Sequence, residues 1–215
     1  SPAEVTVRGC SSKYSKVFYD GIDIADVTGV EVKPIIVGIP AHHLNKIEVL
    51  QGSQSALYGS EAVGGVVFLE TSNASRTGGS QVNLQYGTFN TRSLSLSTGY
   101  TVKNTKLDIR FSNFETEGFS AKEKSKPEAE KDGYFNREFS IKTLSDFKNG
   151  ATLSLNYLNT FNKGEYDGFS GDEAGNYYTQ LNRGVRADLS VLSKENEHKL
   201  ALNYFSTSRT QVAPF

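Results

Sequence analysis

The sequence predicts a β-rich protein in two parts, a small mixed α+β domain followed by antiparallel strands with the character of a membrane barrel. Three observations predict this. From residue 80 onward apolar and polar residues alternate with a period of two, which sorts side chains onto the two faces of a sheet. The links between the alternating runs are, after the first, by turns long and short. The first 72 residues carry instead short apolar runs broken by glycine-rich turns.

Composition narrows the function. The 215 residues are 37% hydrophobic and 22% charged with a formal net charge of −1, so no basic surplus points to nucleic acid. The longest apolar stretches, around PIIVGIP and AVGGVVFL, fall well short of the ~18–20 residues of a membrane-spanning helix. One cysteine, Cys10, excludes an internal disulfide and a cysteine-rich metal site. No nucleophile–base–acid set or paired carboxylates stand out, so no enzyme is expected. His42 and His43 have no further His or Cys near them in sequence, and no metal is expected there. The chain opens with SPAEVTVRG, without the basic and apolar regions of a signal peptide, and ends at RTQVAPF directly after a strand. It is expected to be a piece of a longer protein.

The elements follow in order. The runs VTV, KVFY, PIIVGI, KIEVL and GGVVFLE, punctuated at Gly9, Gly21, Gly29, Gly38, Gly52, Gly59 and Gly64–Gly65, predict short strands in a small mixed sheet. SQSALYG predicts a helical turn with Ser53 as its N-cap. NASRTGG at 73–79 is a polar linker. Beyond it, alternation at Val82/Leu84/Tyr86, Leu94/Leu96/Thr98/Tyr100/Val102, Leu107/Ile109/Phe111, Phe139/Ile141/Thr143, Leu153/Leu155/Tyr157, Val185/Ala187/Leu189/Val191 and Leu200/Leu202/Tyr204 predicts about seven strands of about 8–12 residues. The short links KN, SDFKNG and SKENE would all fall on one side, as periplasmic turns do. An antiparallel sandwich also alternates. Strand length favours the membrane, since tilted crossings take about 9–11 residues and globular strands centre near 5–6. So does the placement of Tyr86, Tyr100, Phe111, Tyr157, Phe161 and Tyr204 toward strand ends, as in interfacial girdles. Seven strands are odd in number and too few for a wide barrel.

One segment is more specific. VRGCSSKYSKVFYDG at 7–21 and IEVLQGSQSALYGSEAVGGVVFLET at 47–71 closely resemble the plug domain of TonB-dependent outer-membrane receptors. The matching residues are Arg8–Gly9, Asp20–Gly21, Ile47–Glu48–Val49–Leu50, Gly52, Ser55, Leu57–Tyr58–Gly59, Ser60, Ala62 and Gly64–Gly65. The ten residues between the RG and DG pairs and the following IDIADVTG are most similar to the cobalamin-receptor branch. The resemblance implies the C-terminal part of a plug at 1–72, a linker at 73–79 and, at 80–215, the first strands of a barrel of about 22. Gln51 and Ser53 replace the family's usual basic residue and proline. That leaves Arg8 as the expected plug–barrel ion-pairing residue.

The resemblance further implies TonB-dependent uptake of a scarce nutrient, cobalamin or a corrinoid. The alternatives are a ferric siderophore or haem receptor of the same fold and, from another class, a non-transporting β-sheet binding or adhesion protein. The partners implied are the nutrient, outer-membrane lipid and TonB, which would grasp an N-terminal segment outside these residues; nucleic acid is not among them. The setting implied is the outer membrane of a Gram-negative bacterium. Ligand contacts are expected in the apical loops 10–15 and 26–31, at Ser11, Ser12, Lys13, Tyr14, Val27, Thr28 and Gly29. Glu48, Gly52, Tyr58, Gly59, Gly64 and Gly65 are the plug-motif positions. No cofactor is expected, apart from calcium on the loop NKGEYDGFSGDEAGNYY, whose Glu165, Asp167, Asp172 and Glu173 offer oxygen ligands.

Overall fold

The computed structural model describes residues 4–73, 75, 79–119, 131–166, 175–193 and 196–213. The N-terminal domain contains β1 (Ser15–Tyr19), β2 (Ile22–Asp23), β3 (Ala25–Asp26), β4 (Lys33–Pro34), β5 (Leu44–Gln51), the single-turn helix α1 (Ser55–Tyr58) and β6 (Gly65–Thr71). Its main sheet has the order β2-β1-β6-β5; β1 runs parallel to β6 and the other pairs are antiparallel. The β3–β4 ribbon stands apart and carries the loop between Asp26 and Lys33.

Local chemistry fixes the turn that matters most. Asp20 and Gly21 both hold positive φ, 45° and 82°, between the paired residues Tyr19 and Ile22. Two consecutive left-handed residues make the tight turn that suits the twist of a hairpin, and Asp-Gly is a favoured pair for it. The alternating side chains of β1, Val17 and Tyr19, join Val7, Ile22, Ile24, Val67 and Leu69 in the domain core.

The helical turn begins one residue later than the sequence predicts. Gln54, not Ser53, is its N-cap, without a side-chain cap bond. The Gln54 N–H donates to the Ala62 carbonyl at 2.8 Å, and Gly52 N–H to Gly64 at 3.1 Å. The β5–β6 pairing thus holds the chain extended past Ser53, and its hydroxyl stands 3.4 Å from that of Ser55 instead.

After the linker come β7 (Ser80–Gly87), β8 (Thr91–Val102), β9 (Thr105–Thr116), β10 (Tyr134–Asp146), β11 (Ala151–Glu165), β12 (Tyr177–Ser193) and β13 (Asn196–Val212). Among the described residues they form one seven-stranded antiparallel meander, each strand pairing with its chain neighbours. β10 to β13 are 13, 15, 17 and 17 residues long, beyond the 8–12 expected. The excess is polar sequence such as NKGE and SRTQV, which keeps its backbone ladder where alternation no longer marks it. No described helix is long and apolar enough to cross a membrane.

The register stacks the inward side chains of this wall into rows. One row reads Asp108–Lys142–Asn156–Arg186 across β9 to β12. The next reads Arg110–Ser140–Leu158–Gly184–Phe205 across β9 to β13, and the next Ser112–Glu138–Thr160–Asn182–Thr207. Outward-facing Leu84, Leu155, Val185 and Leu202 lie exposed on the opposite face. Leu155→Arg is therefore expected to cost about 2–4 kcal/mol on insertion into a bilayer, and Ser154→Arg, one residue away on the inner face, a small fraction of that. Urea titration of the full-length protein folding into lipid vesicles measures both.

Candidate functional site: a seam and the cavity above it

The N-terminal domain is fastened to the wall row by row. On the first row, the Asp20 carboxylate accepts from Lys142 Nζ at 3.0 Å and from the Thr71 N–H and hydroxyl at 3.1 and 2.6 Å. Asn156 donates to the Asp20 carbonyl at 2.7 Å, and Arg186 Nη1 to the Gly21 carbonyl at 2.8 Å. Arg186 is itself aimed by Asp188, which accepts from its Nε and Nη2 at 2.7 and 2.6 Å. A Cβ on Gly21 would lie 2.8 Å from Arg186 Nε, so the backbone can come this close only without a side chain. The chain leaving the domain is held by β9, where Asp108 accepts from the Ser75 N–H and hydroxyl at 2.7 and 2.9 Å and Arg110 donates to the Ser72 carbonyl.

The second row supplies an apolar notch. Leu158 and Phe205 interrupt the polar face on either side of Gly184, and Ile22 fills the gap: a Cβ on Gly184 would stand 2.8 Å from Ile22 Cγ2. Leu158 is part of the domain core and Phe205 packs against it.

The third row holds a buried carboxyl group. Glu138 is fully buried; it accepts from the Tyr19 hydroxyl at 3.1 Å, lies 2.7 Å from His43 Nδ1, and has the Ser112 hydroxyl at 3.5 Å. A carboxylate out of water needs such partners, because its desolvation is otherwise uncompensated. Burial, then the nearby Glu138 carboxylate, pushes the Tyr19 phenol well above its ordinary range. Burial and the adjacent His43 lower His42, whose ring meets that of His43 edge-on at 4.5 Å. Higher still, the Gly38 carbonyl accepts from Asn136 at 3.2 Å, and a side chain on Gly38 would overlap the Asn162 amide.

Above the seam opens a cavity of about 960 Å³. Its floor is Asp26, the 29–31 tip and Lys33–Val37, and its wall includes Glu165, Tyr166, Tyr178, Gln180, Arg209 and Gln211. Asp26 shapes the tip by accepting from the Thr28 N–H and hydroxyl at 2.8 and 2.6 Å. The tip presents Val27 and a fully exposed Val30.

Residues 1–66 match the family model described as the TonB-dependent Receptor Plug Domain. The chain is part of a TonB-dependent receptor. Similarity to the vitamin B12 transporter BtuB of Vibrio vulnificus strain YJ016 is 33% identity over 133 residues, covering 61% of this chain and 21% of that protein. For BtuB of Vibrio cholerae (strain M66-2) it is 34% over 100 residues, 46% of this chain and 16% of that one. The receptor chain thus spans about a fifth of the length of these relatives. In fold it is similar to the closed form of the ferric-catecholate import receptor Fiu from Escherichia coli, with TM-score 0.74 and 14% identity over 98% of this chain and 32% of that one. The pyoverdine receptor FpvA from Pseudomonas aeruginosa superposes with TM-score 0.70 and 16% identity, covering 94% and 31%. The N-terminal domain is a plug, the wall is barrel, and the setting is the outer membrane of a Gram-negative bacterium.

The residues expected from sequence fall in several places. Of the apical set, Gly29 lines the cavity. Ser12 is buried; Lys13 pairs with Glu31 at 2.8 Å and stands over the Tyr14 ring at 5.3 Å, tying the Ser11–Tyr14 loop to the second loop. Val27 and Thr28 belong to the tip whose Gly29 and Val30 reach the lining. Arg8 is exposed with φ 53° and makes no ion pair among the described residues; in the seam Lys142 pairs with Asp20, and His43 Nδ1 meets the buried Glu138 carboxyl group. The motif positions are architectural. Tyr58 packs with Phe18 and Phe68 at 5.7 and 5.5 Å between ring centroids, Gly52 and Gly59 hold positive φ, and side chains on Gly64 and Gly65 would strike Cys10 and the Leu50 carbonyl. Glu48 pairs with Lys46 at 2.8 Å on exposed β5. Glu165 accepts from the Gly133 N–H at 3.0 Å and pairs with Lys163 at 3.3 Å, while Asp167, Asp172 and Glu173 lie outside the described residues. Among the described residues no three His, Cys, Asp or Glu gather as a metal site.

The seam itself went unpredicted, though Leu158 and Phe205 stand out of phase in alternating runs and mark where the plug touches the wall. Glu138→Ala, leaving Tyr19 and His43 without their acceptor, is expected to cost about 1–3 kcal/mol for each polar group left unpaired, read as a lower urea midpoint for plug protection from protease in the full-length receptor. A pH arm follows. Because the docked Tyr19 pKa lies above its free value of about 10, its contribution is complete below that pH and is lost as pH rises beyond it. Plug protection followed from pH 9 to 12 should fall at the alkaline end, and Tyr19→Phe should remove that component.

Proposed function

We propose that the full-length receptor imports a corrinoid, cobalamin or a close relative, across the outer membrane with energy delivered by TonB. The observation that carries this reading is the extent of the likeness to vitamin B12 transporters. It runs over 133 residues, twice the 66 of the plug match, so it is not confined to the plug. The solved siderophore receptors share the fold at 14–16% identity, which carries no substrate assignment.

The geometry supports a division of labour. The cavity between the 26–37 segment and the β12–β13 wall receives the ligand from outside. The seam beneath it closes the path, and its members are individually modest hydrogen bonds, each worth about 0.5–1.5 kcal/mol net, plus one buried carboxylate cluster. A plug held in this way stays closed at rest and yields when a directed pull breaks its contacts row by row.

Uptake of radiolabelled cyanocobalamin by cells whose own corrinoid receptor is deleted, with and without TonB, tests the proposal. The expectation is saturable binding in both strains and uptake only with TonB. Binding of ferric chelates without corrinoid binding would favour the siderophore or haem reading, and binding with no TonB-dependent uptake would favour a non-transporting binding protein.

A further inference from the structure

The cavity wall contains one assembled group that neither the fold nor the seam requires. Tyr178 and Gln180 of β12 stand opposite Gln211 and Arg209 of β13, four inward side chains in a block. The two amides are committed: Gln180 Nε2 donates to the Thr207 hydroxyl at 3.4 Å and Gln211 Nε2 to the Tyr166 hydroxyl at 2.7 Å. Arg209 is different. Its guanidinium carbon lies 5.5 Å from the centroid of the Tyr178 ring, and that ring lies against Gly164, where an added Cβ would come within 2.6 Å of it. Glycine at 164 makes room for the tyrosine, and the tyrosine supports the arginine.

The charges of the cavity isolate this group further. Glu4 pairs with Lys33 at 3.0 Å, Glu31 with Lys13 at 2.8 Å and with Lys33 at 3.5 Å, and Glu165 with Lys163. Asp26 accepts from Thr28. Each lining carboxylate is thus engaged close to home, as is the lining Lys33, while Arg209 makes no ion pair among the described residues. Among the described residues its planar fork of N–H donors has no acceptor of its own, and that fork matches a phosphate or carboxylate two oxygens at a time.

We propose that Arg209, supported on Tyr178, is a specificity-determining residue that binds an anionic phosphate group of the substrate. The inference rests on the corrinoid reading, under which the anion is the phosphodiester of the cobalamin nucleotide loop. Cobinamide, the corrinoid that lacks this loop, is then the discriminating probe. Equilibrium binding of cyanocobalamin and of dicyanocobinamide to the purified full-length receptor is compared for wild type, Arg209→Ala and Arg209→Lys. The expected result is a loss of about 10- to 100-fold for cyanocobalamin in Arg209→Ala, the scale of a hydrogen bond to a charged group, with dicyanocobinamide changed less than about twofold. Arg209→Lys, which keeps the charge without the fork, falls between. Equal losses for both ligands, or no loss for either, would overturn the role of Arg209 while leaving corrinoid uptake intact. A wild-type receptor that binds neither corrinoid would overturn both readings together.

Discussion

The seat of the Asp20–Gly21 turn and the neighbouring Ile22 on the barrel wall is the constraint on which the other contacts depend. Two glycines face across it, each where a side chain from the other partner comes within 3 Å of the missing Cβ: Arg186 at Gly21 and Ile22 at Gly184. Because strand side chains alternate, a slip of one residue in the register of β12 would turn Gly184 and Arg186 to the lipid face and bring Val185 inward. A slip of two would bring a charged or polar side chain against Ile22. Once this seat is fixed, β1 extends upward along the wall and delivers Tyr19 to Glu138. His43 reaches the same carboxylate from before β5, and Gly38 meets the row above. The 26–33 tip is then held at the cavity floor.

The seam combines two kinds of interaction that answer force differently. The apolar notch at Gly184 contributes through burial and shape and has no directional partner to exchange. The polar rows can swap each lost contact for water as it opens, so their net contribution is small although their number is large. Glu138 lies between these cases: while buried it depends on Tyr19 and His43, and once wetted it does not. A closed plug is therefore stable as long as it is dry, and partial opening that admits water weakens what remains.

Much of the fold was legible in the sequence. The period-two runs located all the wall strands, and the ordered glycines and LYG segment located the mixed plug sheet, because both signals depend on backbone requirements that only certain residues meet. Strand ends in β10–β13 were not legible, since polar residues such as Asn162 and Thr210 carry the ladder without alternation. Ser53 misled because its hydroxyl suits a helix cap, whereas the Gln54–Ala62 pairing decides where the helix begins. The seam was hidden for a related reason. Lys142, Asn156 and Arg186 each read as ordinary inward polar residues, and only the register places them in one row under one turn. Among the apical residues expected from sequence, Gly29 lines the cavity, and the geometry adds Val30 and the distant Arg209 to the same lining.

The most direct test of this account is a cross-link through the seat. In the full-length receptor with Cys10 replaced by serine, Ile22→Cys and Gly184→Cys place two thiols where Ile22 Cγ2 already meets the open space of Gly184. The account predicts that the disulfide forms on mild oxidation, that ligand binding at the outer face persists, that TonB-dependent uptake stops, and that reduction restores it. Failure of the pair to cross-link, or full uptake through a cross-linked receptor, would contradict it.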